Sequence, residues 1–388
     1  MDANVYVCRK TYTRPPDPNE KQTMDDFEYV FPAIRGVQAQ REYYVSQCPL
    51  RLIPRLFEFD DVDLPAEARA QRVLNRARLP EIAEYMVSNR DSYVFSALTA
   101  SIDADVRFER LPGEGDGGRL GLLRIPMSAR FVVNDGQHRR GAIELALEND
   151  PTLGDETIAV VFFLDRGLAR CQQMFADLNR YAVRPSMSIG VLYDHRNPHA
   201  SVARAVVSAS WLLRDVVEME KSNLSARSRK LFTLSAIFTA TKALLAGIDE
   251  AQLVDYVPAA TEFWDGIGEG FPEWHMVRER KLSAGEVRTD FIHSHGTVLH
   301  ALGRVGNAIL TTDPDTNWKD IGTRLAQIDW HKSNVALWEG RAMTGGGVSK
   351  SNNNVTLTTN ALKAHLGLEL SPEEQRVEDA FKRARRRR

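Results

Sequence analysis

The chain has 388 residues, of which 43% are hydrophobic and 26% are charged, a composition typical of a folded globular protein with more than one hydrophobic core. Its 50 Lys and Arg residues almost balance its 52 Asp and Glu residues, so a globally basic nucleic-acid-binding surface is excluded and any basic surface has to be local. The three widely spaced cysteines and the lack of an apolar run of roughly 20 residues predict a cytoplasmic protein with neither a zinc or iron–sulfur site nor a membrane span.

The first predicted elements are an N-terminal arm and the beginning of an α+β domain. Residues 1–20 are polar and rich in proline, which is typical of an arm. Residues 27–50 alternate short β-branched and aromatic runs around Gly36, which predicts two strands with a bend at that glycine. Residues 65–88 carry apolar side chains at helical spacing and predict two helices, with Pro80 in the first turn of the second.

The next segments predict a small mixed β-sheet. Residues 129–134 and 157–164 are rich in β-branched and aromatic residues and are bounded by turn residues, which indicates strands. A helix is predicted between these two strands and another over residues 166–179. The order of elements is typical of an α+β domain, which we assign to residues 21–196.

The remainder of the chain predicts a second, helical domain. Over residues 197–338 the apolar residues recur at helical spacing and strand-like alternation is nearly absent. Residues 339–388 are predicted to hold a loop rich in Gly and Asn, a short helix and a basic C-terminal tail. The tail is predicted to be a disordered arm or a frayed helix.

The segment 134–147, NDGQHRRGAIELAL, carries dense polar chemistry at a predicted strand-to-helix corner. The amides of a helix's first turn have no partners within the helix, so a helix beginning after Asp135 and Gly136 would attract anions. The following residues add donors suited to a phosphate: Gln137, His138, Arg139 and Arg140. In the alternative interpretation Asp135 caps the helix, Gly136 makes the turn, and the arginines are solvated on the outer face of the helix.

A second polar corner follows in residues 176–186, ADLNRYAVRPS. It places Asp177, Asn179, Arg180 and Arg184 at a predicted helix end. These residues are candidates for phosphate binding, and helix capping with surface charge is the simpler explanation.

Three segments are candidates for DNA binding, because a DNA-binding protein of near-zero net charge needs its basic groups on one face. The first contributes Lys221, Arg227, Arg229 and Lys230 just before a predicted helix. The second is the Gly- and Asn-rich loop with Arg341, Lys350, Asn352 and Asn353. The third is the C-terminal tail with Arg385 and Arg386. A capped helix start, a mobile linker and a solubilising tail are the respective alternatives.

Other chemistries have weaker support. His293, His295 and His300 are not spaced to share one narrow helix face, so no metal site is predicted. The chain has no P-loop pattern, no Gly-x-Ser-x-Gly and no cysteine beside a histidine, which argues against a P-loop nucleotidase and against ordinary serine or cysteine hydrolases.

Several segments resemble known families. The string DGQHR resembles the DGQHR-domain proteins, and its position ahead of residues 157–186 is similar to the ParB and sulfiredoxin-like fold, in which a Gly/Arg corner holds nucleotide phosphates. The chain also resembles the DndB family of DNA phosphorothioation (sulfur modification) systems over about residues 28–365. Five segments carry this resemblance: FPAIRGVQAQREYY, FVVNDGQHRRGAIELAL, MFADLNRYAVRPSMSIGVLYDHRN, SARSRKLFTLSAIF and WEGRAMTGGGVSKSNNNVTLTT. The resemblance implies a ParB-like N-terminal domain followed by a helical domain.

The resemblance also implies a function. We expect a regulator, a repressor or autoregulator, that binds double-stranded DNA at the promoter of its own phosphorothioation operon as a homo-oligomer, rather than the sulfur transferase itself. The rival hypothesis is an enzyme that binds a nucleoside triphosphate with Mg²⁺ and hydrolyses it or nicks DNA, with Asp135, His138 and Asp177 as catalytic residues. A third hypothesis is a scaffold for other DNA modification proteins.

Overall fold

The structure of the chain is a computed structural model that describes residues 6–9, 27–57, 76–112, 118–164, 173–174, 176–178 and 185–386. The chain divides into two compact units, residues 1–183 and 184–388. Helices and strands both contribute to the architecture, and the fold is α+β. Most of the predicted N-terminal arm lies outside the described residues.

The described part of the first unit is built on a mixed sheet of eight strands. In chain order they are β1 (Tyr6–Arg9), β2 (Phe27–Gln38), β3 (Arg41–Pro49), β4 (Leu98–Asp103), β5 (Arg107–Arg110), β6 (Leu120–Pro126), β7 (Arg130–Asp135) and β8 (Thr157–Leu164). Their order across the sheet is β5-β6-β2-β3-β8-β4-β7, and β1 pairs with β2. The β4–β8 pair is parallel and the other pairs are antiparallel.

The strand β8 lies where the sequence predicted it. Its alternate residues Ile158, Val160 and Phe162 are buried, because successive side chains of a strand point to opposite faces of the sheet. Its neighbour β4 joins it in parallel register from Leu98 to Ile102. Together these strands form the centre of the first unit's core.

The predicted bend at Gly36 is wrong. The chain reverses at Ala39 and Gln40, whose φ angles of 48° and 62° are those of a two-residue hairpin turn between β2 and β3. Gly36 lies inside β2 and pairs with Tyr43, and a Cβ atom at Gly36 would overlap the Tyr43 ring. The glycine therefore makes room for an aromatic neighbour across the strands.

Three described helices belong to the first unit: α1 (Ile53–Leu56), α2 (Leu79–Ser88) and α3 (Gln137–Asn149). Pro80 lies in the first turn of α2, as predicted, and most of the helix predicted before it lies outside the described residues. Ala83 and Met86 of α2 and Ile143 of α3 belong to the same hydrophobic core as the sheet. The helices therefore fix the end of β7 that carries the polar corner.

The second unit is mainly helical. Its helices are α4 (Met187–Tyr193), α5 (Pro198–Ala209), α6 (Leu234–Leu244), α7 (Val257–Gly268), α8 (Pro272–Arg278), α9 (Ala284–Asp290), α10 (Gly296–Thr312), α11 (Trp318–Leu325), α12 (Val335–Trp338), α13 (Asn352–His365) and α14 (Pro372–Arg386). Two short strand pairs join them: β9 (Val217–Glu218) with β10 (Phe232–Thr233), and β11 (Met343–Thr344) with β12 (Gly347–Val348). Among the described residues, no helix combines the length and apolarity needed to cross a membrane.

The helices α6 and α10 form the central pair of the second unit. They approach so closely at Gly303 that a Cβ atom there would overlap the backbone carbonyl of Ala240. Thr233 caps α6 by accepting a hydrogen bond from the amide of Ala236. Aromatic residues such as Trp264 and Trp274 fill the core around this pair. The small residue at position 303 thus determines the spacing of the two helices.

The C-terminal segment is more ordered than the sequence predicted. The predicted loop 339–355 contains a hairpin that turns at Gly345 and Gly346, both at positive φ, and the first residues of α13. The tail is the helix α14 as far as Arg386, so of the two predicted alternatives the described part agrees with the helix and not with the disordered arm. Acidic residues lie in the first turn of α14 and basic residues in its last turn, an arrangement that interacts favourably with the helix dipole.

Replacing Gly303 by Ala should lower the free energy of unfolding of the second unit by about 1–3 kcal/mol, because the added methyl group forces α6 and α10 apart. Gly190→Ala in α4 is the matched control, since a Cβ atom at that position would meet nothing within 4 Å, and it should raise stability by roughly 0.5–1 kcal/mol. Denaturant unfolding followed by circular dichroism measures both. Equal effects of the two substitutions would contradict the close approach.

Candidate functional site

The polar corner 134–140 connects β7 to α3, as the sequence predicted. Gly136 adopts φ 100°, a left-handed conformation that favours glycine, and a Cβ atom there would also overlap the Leu98 side chain. The helix begins directly at Gln137 and no side chain caps it. The glycine therefore serves both the turn and the close approach of β4.

The alternative in which Asp135 caps the helix is wrong. Its carboxylate accepts a hydrogen bond from Nη2 of Arg139 at 2.7 Å, one turn into α3. Nη1 of Arg139 donates to the carbonyl oxygen of Ser96 at 3.2 Å. The acid and one of the two arginines of the motif are therefore bound to each other and tie the corner to the segment before β4.

Arg140 is a structural residue and is only 5% exposed. Its Nε donates to the carbonyl of Phe57 at 2.8 Å and its Nη2 to the carbonyl of Pro54 at 3.0 Å, while Nη1 contacts the Glu144 carboxylate. The interpretation of both arginines as solvated is therefore wrong for Arg140. Its guanidinium holds the end of α1 against α3 and is turned away from solvent.

The other motif residues are also partly buried. Nε2 of Gln137 lies 3.4 Å from the carbonyl oxygen of Val133, to which it donates. Burial, and then the charge of Arg78, lower the pKa of His138 from its ordinary value, so the imidazole is neutral at neutral pH. A neutral imidazole adds no positive charge to a phosphate site.

Asn134 is a site residue that the motif analysis did not single out. It is buried, and its Nδ2 donates to Oγ of Ser101 at 2.7 Å and contacts Sδ of Met174 at 3.1 Å. Its Oδ1 has no hydrogen-bond partner among the described residues. The contact with Met174 places the residues just before the second polar corner next to Asn134.

Of the four candidate residues of the second polar corner, only Asp177 belongs to the described residues, and its carboxylate accepts a hydrogen bond from Nε2 of Gln173 at 2.8 Å. Asn179, Arg180 and Arg184 lie outside the described residues. Their predicted role in phosphate binding stays a prediction.

In the second unit, the predicted DNA-binding segment 221–230 is an ordered strap before α6. Lys221, Arg227 and Arg229 are exposed, and none of them forms an ion pair with a carboxylate of the described chain. Nζ of Lys230 donates to the carbonyl of Asp215 at 2.8 Å. Three of the four predicted basic residues are therefore available at the surface.

Arg288, which the sequence analysis missed, holds this strap in place. Its guanidinium donates to the carbonyl of Ser225 at 2.7 Å and also contacts the carbonyls of Ala226, Ser228 and Lys230. Burial lowers the pKa of Arg288 from its ordinary value. Since Arg288 comes about 60 positions after the strap, local sequence patterns gave no signal of this contact.

The predicted loop residues separate into interior and surface positions. Arg341 lies inside, where its guanidinium forms two hydrogen bonds with the Glu378 carboxylate, at 2.7 and 2.9 Å, and thereby lowers the pKa of that carboxyl. Lys350, Asn352 and Asn353 are exposed, and the two asparagines begin α13 instead of lying in a loop. Arg341 therefore stabilises the contact between the hairpin and α14.

The tail arginines lie on the last turn of α14. Nη2 of Arg385 donates to the carbonyl of Ala336 at 2.9 Å, at the short helix α12, and Arg386 is exposed. Residues 387–388 lie outside the described residues.

A cavity of about 580 Å³ brings two of the predicted segments together. Ser222 and Asn223 of the strap line it, as does Lys350 from the Gly- and Asn-rich segment, and Arg288 forms part of the same wall. The starts of α6 and α10 close its floor with Thr233 and the residues around Gly296. Residues more than 120 positions apart in the sequence therefore share one polar cavity.

The histidine cluster 293–300 is explained by packing. Nδ1 of His293 accepts a hydrogen bond from Nε1 of Trp274 at 2.9 Å, so its Nε2 carries the proton and faces the Glu273 carboxylate at 3.4 Å. Nε2 of His295 lies 2.9 Å from the carbonyl of Arg288. Within the described part of the chain, no three or more His, Cys, Asp or Glu side chains are grouped so as to hold a metal ion.

A family model described as DndB, DNA-sulfur modification-associated, matches residues 31–369 of the chain. No curated protein and no solved structure matches it. The family match extends over the corner, the strap and the polar cavity.

Arg140→Ala should lower the free energy of unfolding by about 1–3 kcal/mol, because it leaves the carbonyls of Pro54 and Phe57 without their donor. Arg139→Ala is the matched control and should cost about 1 kcal/mol or less, since its partner Asp135 is half exposed. Chemical denaturation of the two variants provides the comparison. If Arg139→Ala lowered the free energy of unfolding more than Arg140→Ala does, the assignment of Arg140 as the structural arginine would be contradicted.

Arg288→Ala should loosen the strap, because the carbonyls of residues 225–230 lose their shared donor. Limited trypsin digestion should then cut after Arg227, Arg229 or Lys230 about tenfold faster, a change that corresponds to a loss of about 1.4 kcal/mol of local stability. Arg278→Ala, which removes an arginine stacked on Trp211 away from the strap, is the control. Unchanged cleavage in Arg288→Ala would contradict the role assigned to the guanidinium.

Proposed function

The chain belongs to the DndB family of DNA-sulfur modification-associated proteins, and on that premise we propose that it binds double-stranded DNA as the transcriptional regulator of a phosphorothioation gene cluster. The strap 221–230 is the proposed contact with the DNA backbone. The observation that carries the proposal is the exposure of Lys221, Arg227 and Arg229 on a segment that Arg288 holds in one conformation.

The charge of the strap supports this proposal. The segment KSNLSARSRK contains four basic residues and no acidic residue, in a chain whose net charge is −2. Phosphate contacts supply most of the sequence-independent affinity of DNA-binding proteins, and they require cations that are not already paired. The strap meets that requirement locally, although the chain as a whole does not.

The fixed backbone of the strap also supports it. Arg288 binds its second half, and in its first half the Ser222 hydroxyl accepts a hydrogen bond from the amide of Ser188 at 3.0 Å. A segment ordered before binding loses less conformational entropy when it meets a ligand. The basic side chains are therefore presented at low entropic cost.

Cys48 lacks the environment that a sulfur-inserting enzyme requires of a reactive cysteine. Cys48 is fully buried, and burial raises the pKa of its thiol to about 12, so the thiol is protonated and unreactive at neutral pH. Cys171 lies outside the described residues. In the rival enzymatic hypothesis Asp135, His138 or Asp177 positions a metal or a water, and of these the Asp135 carboxylate pairs with Arg139.

Fluorescence anisotropy with a duplex from upstream of the gene cluster and a scrambled duplex tests the proposal across a salt series. The upstream duplex should bind more tightly, and the preference should persist as salt rises, because base contacts are less sensitive to salt than phosphate contacts. Equal and steeply salt-dependent binding of both duplexes would refute specific regulation.

The combined variant Lys221→Ala, Arg227→Ala and Arg229→Ala should weaken binding of both duplexes. The slope of log K against log salt should fall by roughly 0.9 for each phosphate contact that is lost. A variant with Lys281, Lys319 and Arg376 replaced by Ala is the matched control, since it removes three exposed cations elsewhere in the second unit. Identical slopes in the two variants would place the DNA contact outside the strap.

A further inference from the structure

The long helix α10 begins at the polar cavity with an uncapped end. Its first residue is Gly296, His295 precedes it, and no side chain accepts a hydrogen bond from the first turn. The Thr297 hydroxyl donates to the carbonyl of Ser349 at 2.6 Å. The amide of Val298 donates to the carbonyl of His295 at 2.9 Å, whereas the amides of Gly296 and Thr297, at the positive end of a 17-residue helix dipole, have no acceptor among the described residues.

Ser294 gives a second and independent indication of a ligand. It lines the cavity, is only 5% exposed, and its hydroxyl has no hydrogen-bond partner among the described residues. Buried hydroxyl groups are nearly always paired, because an unpaired one loses its hydration without compensation. A donor in this position, just before the free amides of α10, suits an oxygen-rich ligand.

The electrostatics of the cavity favour an anion. Arg288 and Lys350 line it, and no Asp or Glu is among its lining residues. The partners of Arg288 are carbonyl oxygens, which do not neutralise its charge. Nζ of Lys332, which lies 2.7 Å from the carbonyl of Arg288, interacts with the Asp290 carboxylate and is not counted among the cations of the cavity.

The remaining lining groups suit a ligand larger than a bare ion. The cavity's 580 Å³ falls within the roughly 300–1,000 Å³ usual for small-molecule sites. Asn223 is exposed at its edge, and His300 lies one turn into α10. Both can bond to a sugar or a base attached to an anionic group.

We propose that this cavity binds a phosphoryl group, with the first amides of α10 and the Ser294 hydroxyl as donors and with Lys350 and Arg288 as the balancing charges. The phosphoryl group belongs either to the DNA backbone or to a phosphorylated small molecule. Binding of a DNA backbone phosphate rests on the proposed function, whereas binding of a phosphorylated small molecule does not. Arg288 also holds the strap, so its substitution is no test of the site.

The probe is inorganic phosphate, added to the full chain in a chloride buffer of matched ionic strength. The ³¹P resonance of phosphate should broaden when the protein is added, and phosphate should raise the melting temperature of the protein. Ser294→Ala and Lys350→Gln should each weaken phosphate binding by about fivefold or more, which is the effect of losing one hydrogen bond or ion contact. Lys281→Gln, an exposed lysine outside the cavity, is the control and should bind as the unaltered chain does.

The melting temperature of Ser294→Ala in the buffer without phosphate distinguishes a ligand-binding role of the Ser294 hydroxyl from a structural role. Because the hydroxyl has no partner, its removal should leave the melting temperature equal or higher there, while the increase caused by phosphate shrinks. A melting temperature that falls in both buffers by the same amount would assign the hydroxyl a structural role and overturn the proposal. Phosphate binding that neither substitution changes would overturn it as well.

Competition identifies the source of the phosphoryl group. Release of bound phosphate by saturating duplex DNA supports a backbone phosphate, whereas tighter binding of a nucleoside monophosphate that duplex does not displace supports a small molecule. Phosphate binding without any preference for the upstream duplex would refute the regulatory function alone. Specific duplex binding with no phosphate site would refute this inference alone.

Discussion

The close approach of α6 and α10 is the constraint on which the second unit depends. With no side chain at Gly303, the two helices approach until α10 contacts the carbonyl of Ala240. Both helices begin at the polar cavity, so their separation positions Thr233 on one side and Ser294 on the other. The strap 221–230 runs directly into α6, and its location follows from the same contact. The helix contact at Gly303, two turns into α10, thus determines how far apart the groups that line the cavity lie.

Local sequence patterns predicted those elements whose residues determine their own conformation. The strand β8, the first turn of α2 at Pro80, and the strand–glycine–helix corner at Gly136 all follow from side-chain periodicity or from backbone freedom. The turn between β2 and β3 was misplaced because Ala39 and Gln40 are not turn residues by composition. There the pairing of two long strands imposes positive φ on residues that do not favour it.

The candidate site was harder to predict, because the role of an arginine depends on what the fold places opposite it. Arg139 and Arg140 are adjacent and chemically identical, yet one pairs with the half-exposed Asp135 and the other binds buried carbonyls. Arg341 was expected on a loop surface and is bound to Glu378 in the interior. Arg288 was not expected at all. Spacing along the chain indicates only the two carboxylates four positions away, Asp135 for Arg139 and Glu144 for Arg140, and none of the other partners.

The way in which Arg288 holds the strap has a consequence for how this surface can evolve. Its partners are main-chain carbonyls, which are present whatever side chains the strap carries. Mutations at positions 227 or 229 can therefore alter the charge and shape of the strap without loosening its backbone. In a lineage that shares this arginine, the side chains of the strap could change one at a time while a single half-buried guanidinium preserves its backbone.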